Sequence, residues 1–118
     1  MSFILFGIPN CQTVKKARVW LSEHQIDYVF HDFKKNGVTI ELIDHWLKQC
    51  EISKLLNRSG MTYRNLTDAQ KEKSQSTSGA IELLMEYPSM IKRPILDTGK
   101  NITLGFDEAN YQHIFDNL

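Results

Sequence analysis

Phe3-Ile4-Leu5-Phe6-Gly7-Ile8-Pro9-Asn10-Cys11-Gln12-Thr13-Val14-Lys15-Lys16-Ala17 is the stretch on which the fold turns. Phe3 to Phe6 is a short continuous apolar run closed by Gly7-Ile8-Pro9-Asn10, the pattern of a buried strand that ends in a tight loop. Asn10 is a good helix N-cap, and Val14, Ala17 and Leu21 follow at helical spacing while Lys15, Lys16 and Arg18 occupy other faces. A helix from Asn10 to about Gln25 is expected. Tyr28 to Phe33, rich in aromatic and β-branched residues and punctuated by Lys34-Lys35-Asn36-Gly37, predicts a second strand. A crossover of this length makes the two strands parallel, with a right-handed connection.

Thr39 predicts the cap of a helix whose Ile40, Ile43, Trp46, Leu47 and Cys50 form a core stripe. Leu55 to Gly60 reads as a helix end and a loop. Thr67-Asp68-Ala69-Gln70 matches a capping box, with Leu66 as its staple residue. A further helix over about Ser78–Glu86 would bury Ile81, Leu84 and Met85 and stop at Tyr87-Pro88. Pro94-Ile95-Leu96 and Ile102-Thr103-Leu104, joined by Asp97-Thr98-Gly99-Lys100-Asn101, read as an antiparallel hairpin. Asp107 then caps a last helix that buries Tyr111, Ile114, Phe115 and Leu118. The expected architecture is α/β, a mixed four-stranded sheet flanked by helices, in one domain spanning 1–118 with a helical insertion over about 39–87. Periodicity alone leaves other α/β topologies open.

With 118 residues, 42% of them hydrophobic and 24% charged, the chain can bury a core without disulfide or metal staples. Lys plus Arg and Asp plus Glu number 14 each, so no bulk field draws the chain to nucleic acid or an anionic membrane. No apolar run approaches the ~20 residues that span a bilayer, and Met1 to Gly7 lacks the charged and apolar regions of a signal peptide. A cytoplasmic monomer is the expectation. Two cysteines, Cys11 and Cys50, make no secreted disulfide framework and fit a reducing compartment. The scattered His24, His31, His45 and His113 give no metal-binding spacing.

Cys11 follows the predicted cap directly, where unpaired amides and the positive end of the helix dipole converge. A thiolate is stabilised there, which makes a nucleophile available near neutral pH. Lys15, one turn on, could add positive charge. A small buried thiol would occupy the same position without chemistry. Cys50 continues the Ile43, Trp46, Leu47 stripe and reads as core; resolving an oxidised Cys11 would require Cα atoms within about 7 Å. Arg93 can grip an oxyanion or carboxylate with two parallel hydrogen bonds, and Pro94 after it favours a fixed, even cis, bond. A solvated basic turn would explain Lys92-Arg93 equally well. Arg58 and Arg64 lie in a polar loop, where arginine can face an anion or simply water.

Taken together, Gly7 to Ala17, Leu55-Leu56-Asn57-Arg58-Ser59-Gly60, Ile91-Lys92-Arg93-Pro94 and Leu104-Gly105-Phe106-Asp107-Glu108 resemble the ArsC/Spx family, arsenate reductase-like proteins, and most closely its YffB-like branch. The resemblance implies a thioredoxin-like fold with a helical insertion, an active-site cysteine at Cys11, and Arg93 before a cis-proline at Pro94. Arg58 stands in the block of another family arginine, so the resemblance gives it an anion-binding role; Asn10 and Lys15, beside Cys11, are substrate- or anion-binding candidates by their position, and Pro94 joins them.

In the arsenate reductases of the family the cysteine attacks arsenate, arginines hold the oxyanion, and glutathione with glutaredoxin completes the reduction. Here Leu104-Gly105-Phe106-Asp107 stands where those enzymes place a further arginine. The YffB-like branch shares the Gly-Phe-Asp feature and is thought to act as a glutathione-dependent thiol reductase. Spx-type regulators, which bind RNA polymerase, often carry a Cys-x-x-Cys switch, whose second position is Val14 here. The resemblance therefore implies a glutathione-dependent thiol/disulfide oxidoreductase with a single cysteine thiolate and no bound cofactor. Arsenate reduction and Spx-like regulation are the alternatives.

Overall fold

A computed structural model describes residues 2–118. The described residues form two compact units: residues 2–35 with 93–118, and the continuous stretch 36–92.

The first unit holds a sheet of β1 (Ile4–Gly7), β2 (Val29–Asp32), β3 (Ile95–Asp97) and β4 (Ile102–Leu104), ordered β2-β1-β3-β4. β1 runs parallel to β2, with Leu5 opposite Phe30, and antiparallel to β3, with Leu5 opposite Leu96 and Phe6 opposite Ile95. β4 closes the hairpin with β3. The sheet is therefore the mixed four-stranded one that the sequence predicts. Gly7 ends β1 beside α1 (Gln12–Glu23), and the approach is close enough that a Cβ on Gly7 would lie 2.8 Å from a Val14 methyl.

One face of this sheet carries the core of the unit. Leu5 and Leu96 meet Ala17, Trp20 and Leu21 of α1 and Tyr111 of the final helix, Glu108–Asp116. Trp20 and Phe106 pack edge-on against the Tyr111 ring at centroid distances of 5.5 and 4.7 Å. Each buried aromatic ring brings a large apolar area to this layer. The Tyr111 hydroxyl is buried with no hydrogen-bond partner among the described residues, and burial pushes its pKa well above the usual phenol value. Asp107 caps that helix, accepting from the Ala109 amide at 3.0 Å. Leu118, read from the sequence as core, is 40% exposed at the chain end.

The expected second strand is shorter at both ends than Tyr28–Phe33. Asp32 accepts a hydrogen bond from the Lys34 amide, which turns the chain into α2 (Phe33–Asn36). Phe33 is buried at the start of that helical turn.

The 36–92 unit is helical: α3 (Ile40–Leu47), α4 (Ile52–Leu55), α5 (Met61–Arg64), α6 (Asp68–Lys73) and α7 (Thr77–Glu86), followed by a 3-10 turn at Pro88–Met90. Thr39 caps α3 through the Leu42 amide, and Ile43 and Trp46 are buried. Ile40, assigned to the same stripe, is 46% exposed because it opens the helix before the stripe turns inward. Cys50 lies just beyond the end of α3 and is half-buried. The expected capping box forms, with Thr67 accepting from the Gln70 amide and Gln70 accepting from the Thr67 amide. α7 differs from its predicted face: Ala80, Leu83 and Leu84 are buried, whereas Met85 is 41% exposed. Gly79 sets this register, since its bare Cα sits against the Lys73 carbonyl. An isolated bridge between Leu56 and Ile91 ties the middle of the unit to its last residues, flanked by amide bonds from Asn57 to Met90 and from Lys92 to Leu55.

Candidate active site

Pairing of β1 with β3 brings two distant segments to one edge of the first unit: the loop after Gly7 and the residues that open β3. In that loop Cys11 donates its amide to Ile8 at 3.4 Å and accepts from the Lys15 amide at 2.9 Å, so it is the N-cap of α1. Asn10, the cap expected from side-chain preference, instead sits exposed in the turn before it. The shift by one residue matters for the chemistry. A cap side chain faces the amides two and three positions on, and at Cys11 these are the amides of Thr13 and Val14.

No conventional cap hydrogen bond forms to the neutral thiol, but the ionised sulfur is well provided for. Partial burial raises the thiol pKa, while the Val14 amide, a hydrogen bond from Arg93, the Thr13 amide and the charge of Arg93 lower it. The lowering wins, and Cys11 titrates below an ordinary cysteine. The first turn of α1 carries no acidic residue to offset the dipole. Arg93, not Lys15, is the cation at the sulfur; Lys15 is exposed one turn along α1.

Arg93 is held by its neighbours. The Arg93–Pro94 peptide is cis, and the buried Pro94 offers its carbonyl to the Gly105 amide at 2.8 Å. Gly105 has φ of 79°, a left-handed conformation that glycine adopts without penalty. Thus Cys11, Arg93 and Pro94 come together, with Asn10 in the adjoining turn. Arg58 belongs to the 36–92 unit, exposed there with its guanidinium 6.0 Å from the Tyr63 ring centroid. The sequence points to unpaired amides near Cys11 without saying that they are those of Thr13 and Val14, and the Gly105–Pro94 bond is not legible in it at all. Placing the cap at Cys11 would have identified the two amides.

Cys50 contrasts with Cys11. Burial alone acts on it and pushes its pKa up, so the thiol form is favoured. Val14, three residues after Cys11, is fully buried.

Replacing Arg93 with methionine is expected to raise the pH midpoint for alkylation of Cys11. A hydrogen bond to a charged group is worth at most a few kcal/mol and less where solvent screens it, so the rate at pH 6 should fall about five- to tenfold. Iodoacetamide rates from pH 4 to 10 on both proteins, with Cys50→Ala as a common background, check this. Superimposable profiles would remove Arg93 from the site.

A cysteine at a helix start facing an arginine that precedes a cis-proline, on a mixed sheet of order β2-β1-β3-β4, defines a thioredoxin-like thiol protein. The chain belongs to the ArsC family, whose profile matches residues 6–114. The solved structure of a YFFB protein is 42% identical, with a TM-score of 0.91 over 95% of this chain and 97% of that one. An ArsC-related protein from Brucella melitensis is 43% identical, with a TM-score of 0.77 over 98% and 95%. Global transcriptional regulator Spx 2 of Bacillus cereus is 30% identical over 107 residues, 89% of this chain and 80% of its own. The family thus includes both arsenate reductase-related proteins and transcriptional regulators. No helix among the described residues is long and apolar enough to cross a membrane.

Proposed function

We propose that the protein is a glutathione-dependent thiol–disulfide oxidoreductase that uses Cys11 as its single nucleophile. The observation that carries this reading is the stabilised Cys11 thiolate beside Arg93, with buried Val14 at the position where a neighbouring thiol would stand. Cys11 attacks the glutathionyl sulfur of a mixed disulfide, forming the Cys11–glutathione disulfide. The substrate sulfur leaves with the electron pair of the broken bond and takes a proton from solvent. A second glutathione, as thiolate, then attacks the glutathionyl sulfur, giving glutathione disulfide and regenerating the Cys11 thiolate. In sum the mixed disulfide and one glutathione give the substrate thiol and glutathione disulfide: the substrate sulfur is reduced and the incoming glutathione is oxidised, while the glutathionyl unit stays in a disulfide throughout.

Arsenate reduction would begin from the same thiolate, but an oxyanion is gripped best by more than one guanidinium, and Arg93 is the guanidinium that this unit sets at Cys11. Its other arginine, Arg18, is engaged by the Tyr28 hydroxyl at 3.1 Å and lies over the Phe30 ring at 4.1 Å. The likeness to Spx 2 supports a second reading, a regulator that lacks an internal disulfide switch.

Steady-state turnover of the mixed disulfide between glutathione and 2-mercaptoethanol tests the leading reading. Parallel lines on varying both substrates are expected, the pattern of two half-reactions that share a covalent intermediate. Arsenate consumption that requires glutathione and glutaredoxin, without turnover of the disulfide, would replace it with the arsenate reading. Capture of RNA polymerase by a protein inactive in both assays would favour the regulator.

A further inference from the structure

An open groove of about 860 Å³ runs beside Lys15, Lys16, Val19, Trp20 and Glu23 of α1 and is closed on its other side by Phe106. Its size is toward the upper end for small-molecule sites and far exceeds the need of an oxyanion. Trp20 and Phe106 both pack against the buried Tyr111 ring, so these parts of the wall are backed by core. Val19, between the charged ends, is 55% exposed.

On the α1 wall the charges are ordered by the rise of the helix. Lys15 and Lys16 stand at the end nearest the nucleophile, for the Lys15 amide bonds the Cys11 carbonyl. Glu23 closes the far end of α1, ~12 Å from Lys15 at 1.5 Å of rise per residue. Asp107 and Glu108 add carboxylates on the opposite wall. Among the described residues, no ion pair occupies any of these five side chains.

We propose that this groove docks the polypeptide that carries the substrate sulfur, which deepens the oxidoreductase reading above and rests on it. The occupant is an extended segment with an acidic side chain beside its cysteine and a basic one further along. At ~3.3 Å per residue, the span from Lys15 to Glu23 separates these two by about four positions, which places them on the same side of the extended chain. Its acidic group meets Lys15 and Lys16, its apolar residues cover Val19, Trp20 and Phe106, and its basic group meets Glu23.

The test uses two ten-residue peptides glutathionylated at one cysteine, the first with Asp next to it and Lys four positions beyond the Asp, the second with these charges exchanged. With glutathione as reductant, the first peptide is expected to show kcat/KM about tenfold higher, a preference that shrinks in high salt because exposed charges are screened. Glu23→Lys is expected to erase or invert the preference. Equal values for the two peptides, or a preference untouched by Glu23→Lys, would overturn the docking. Binding is followed independently with the same peptides carrying serine in place of cysteine, through the backbone amide resonances of residues 15–23 and 106–108. Saturable shifts there without turnover of any disulfide would leave the docking standing and sink the oxidoreductase reading. Turnover without such shifts would do the reverse.

Discussion

Replacing Cys11 with serine is expected to bring glutathione-linked turnover down to the uncatalysed rate and, at acid pH, to make the protein more stable. The loss of turnover follows from the chemistry, because a hydroxyl at this position neither ionises near neutrality nor forms the mixed disulfide. The gain in stability follows from the cap. Cys11 occupies the N-cap of α1 without a side-chain cap hydrogen bond, facing the Thr13 and Val14 amides. A serine oxygen can accept from them, and a good cap is worth ~0.5–2 kcal/mol.

The pH dependence has a definite sign. A thiol whose folded-state pKa is depressed stabilises the fold above its unfolded value of about 8.5, and that contribution is lost as pH falls through the folded value. The advantage of Cys11→Ser should therefore be greatest at low pH and shrink or reverse above about 8.5. Cys50 is present in both proteins and cancels from the comparison. Urea melts between pH 5 and 9, alongside the turnover assay, provide the check. Undiminished turnover would refute the nucleophile, and a stability difference independent of pH would refute the stabilised thiolate.

Gly79→Ala should cause a large loss of stability in the 36–92 unit. A Cβ at this buried position would collide with the Lys73 carbonyl oxygen and stand 2.8 Å from both Lys73 Cγ and Ser76 Oγ. Backbone cannot yield as a flexible side chain does, so the end of α6 and the start of α7 would have to separate. That movement loosens the cap in which Ser76 accepts from the Gly79 amide at 3.1 Å. Overpacking and a weakened cap together cost about 3 kcal/mol, or roughly 10 °C in Tm. Gly37→Ala separates crowding from backbone conformation. Gly37 has φ of 78°, and a methyl group added there would meet nothing within 4 Å, so only the left-handed penalty of about 1 kcal/mol applies. If the two variants melted together, the close approach at Gly79 would have no energetic weight.

What the sequence shows of this protein divides along the range of the interactions. β1, α1 and the β3–β4 hairpin are legible because local apolar runs, helical spacing and turn residues all agree. The capping box at Thr67 and Gln70 is legible for the same reason. The end of β2 is not, because Asp32 bonding the Lys34 amide outweighs the strand propensity of Phe33. The buried face of α7 is misread by one position, because Gly79 and Ala80 permit a closeness that apolar spacing does not register. At the site, Cys11 is visible from its place before a helix. Its partner is not, since no periodicity connects residue 11 with residue 93, and Lys15 is the cation that local spacing offers. Guanidinium chemistry and the following Pro94 mark Arg93 as an anion-binding candidate, but a solvated basic turn explains it equally well, and it is the resemblance that assigns it to the site of Cys11.

The first unit is assembled from two ends of the chain, and β3 lies within its second part. During synthesis Cys11 emerges early, whereas the guanidinium that steadies its anion is made only after the whole of 36–92. Until Arg93 reaches the sulfur, a nascent chain carries a less acidic thiol at position 11. Reactivity at Cys11 is thus enhanced by completion of the chain: truncated products that stop before residue 93 would lack the full nucleophile, whatever structure their completed helices had acquired.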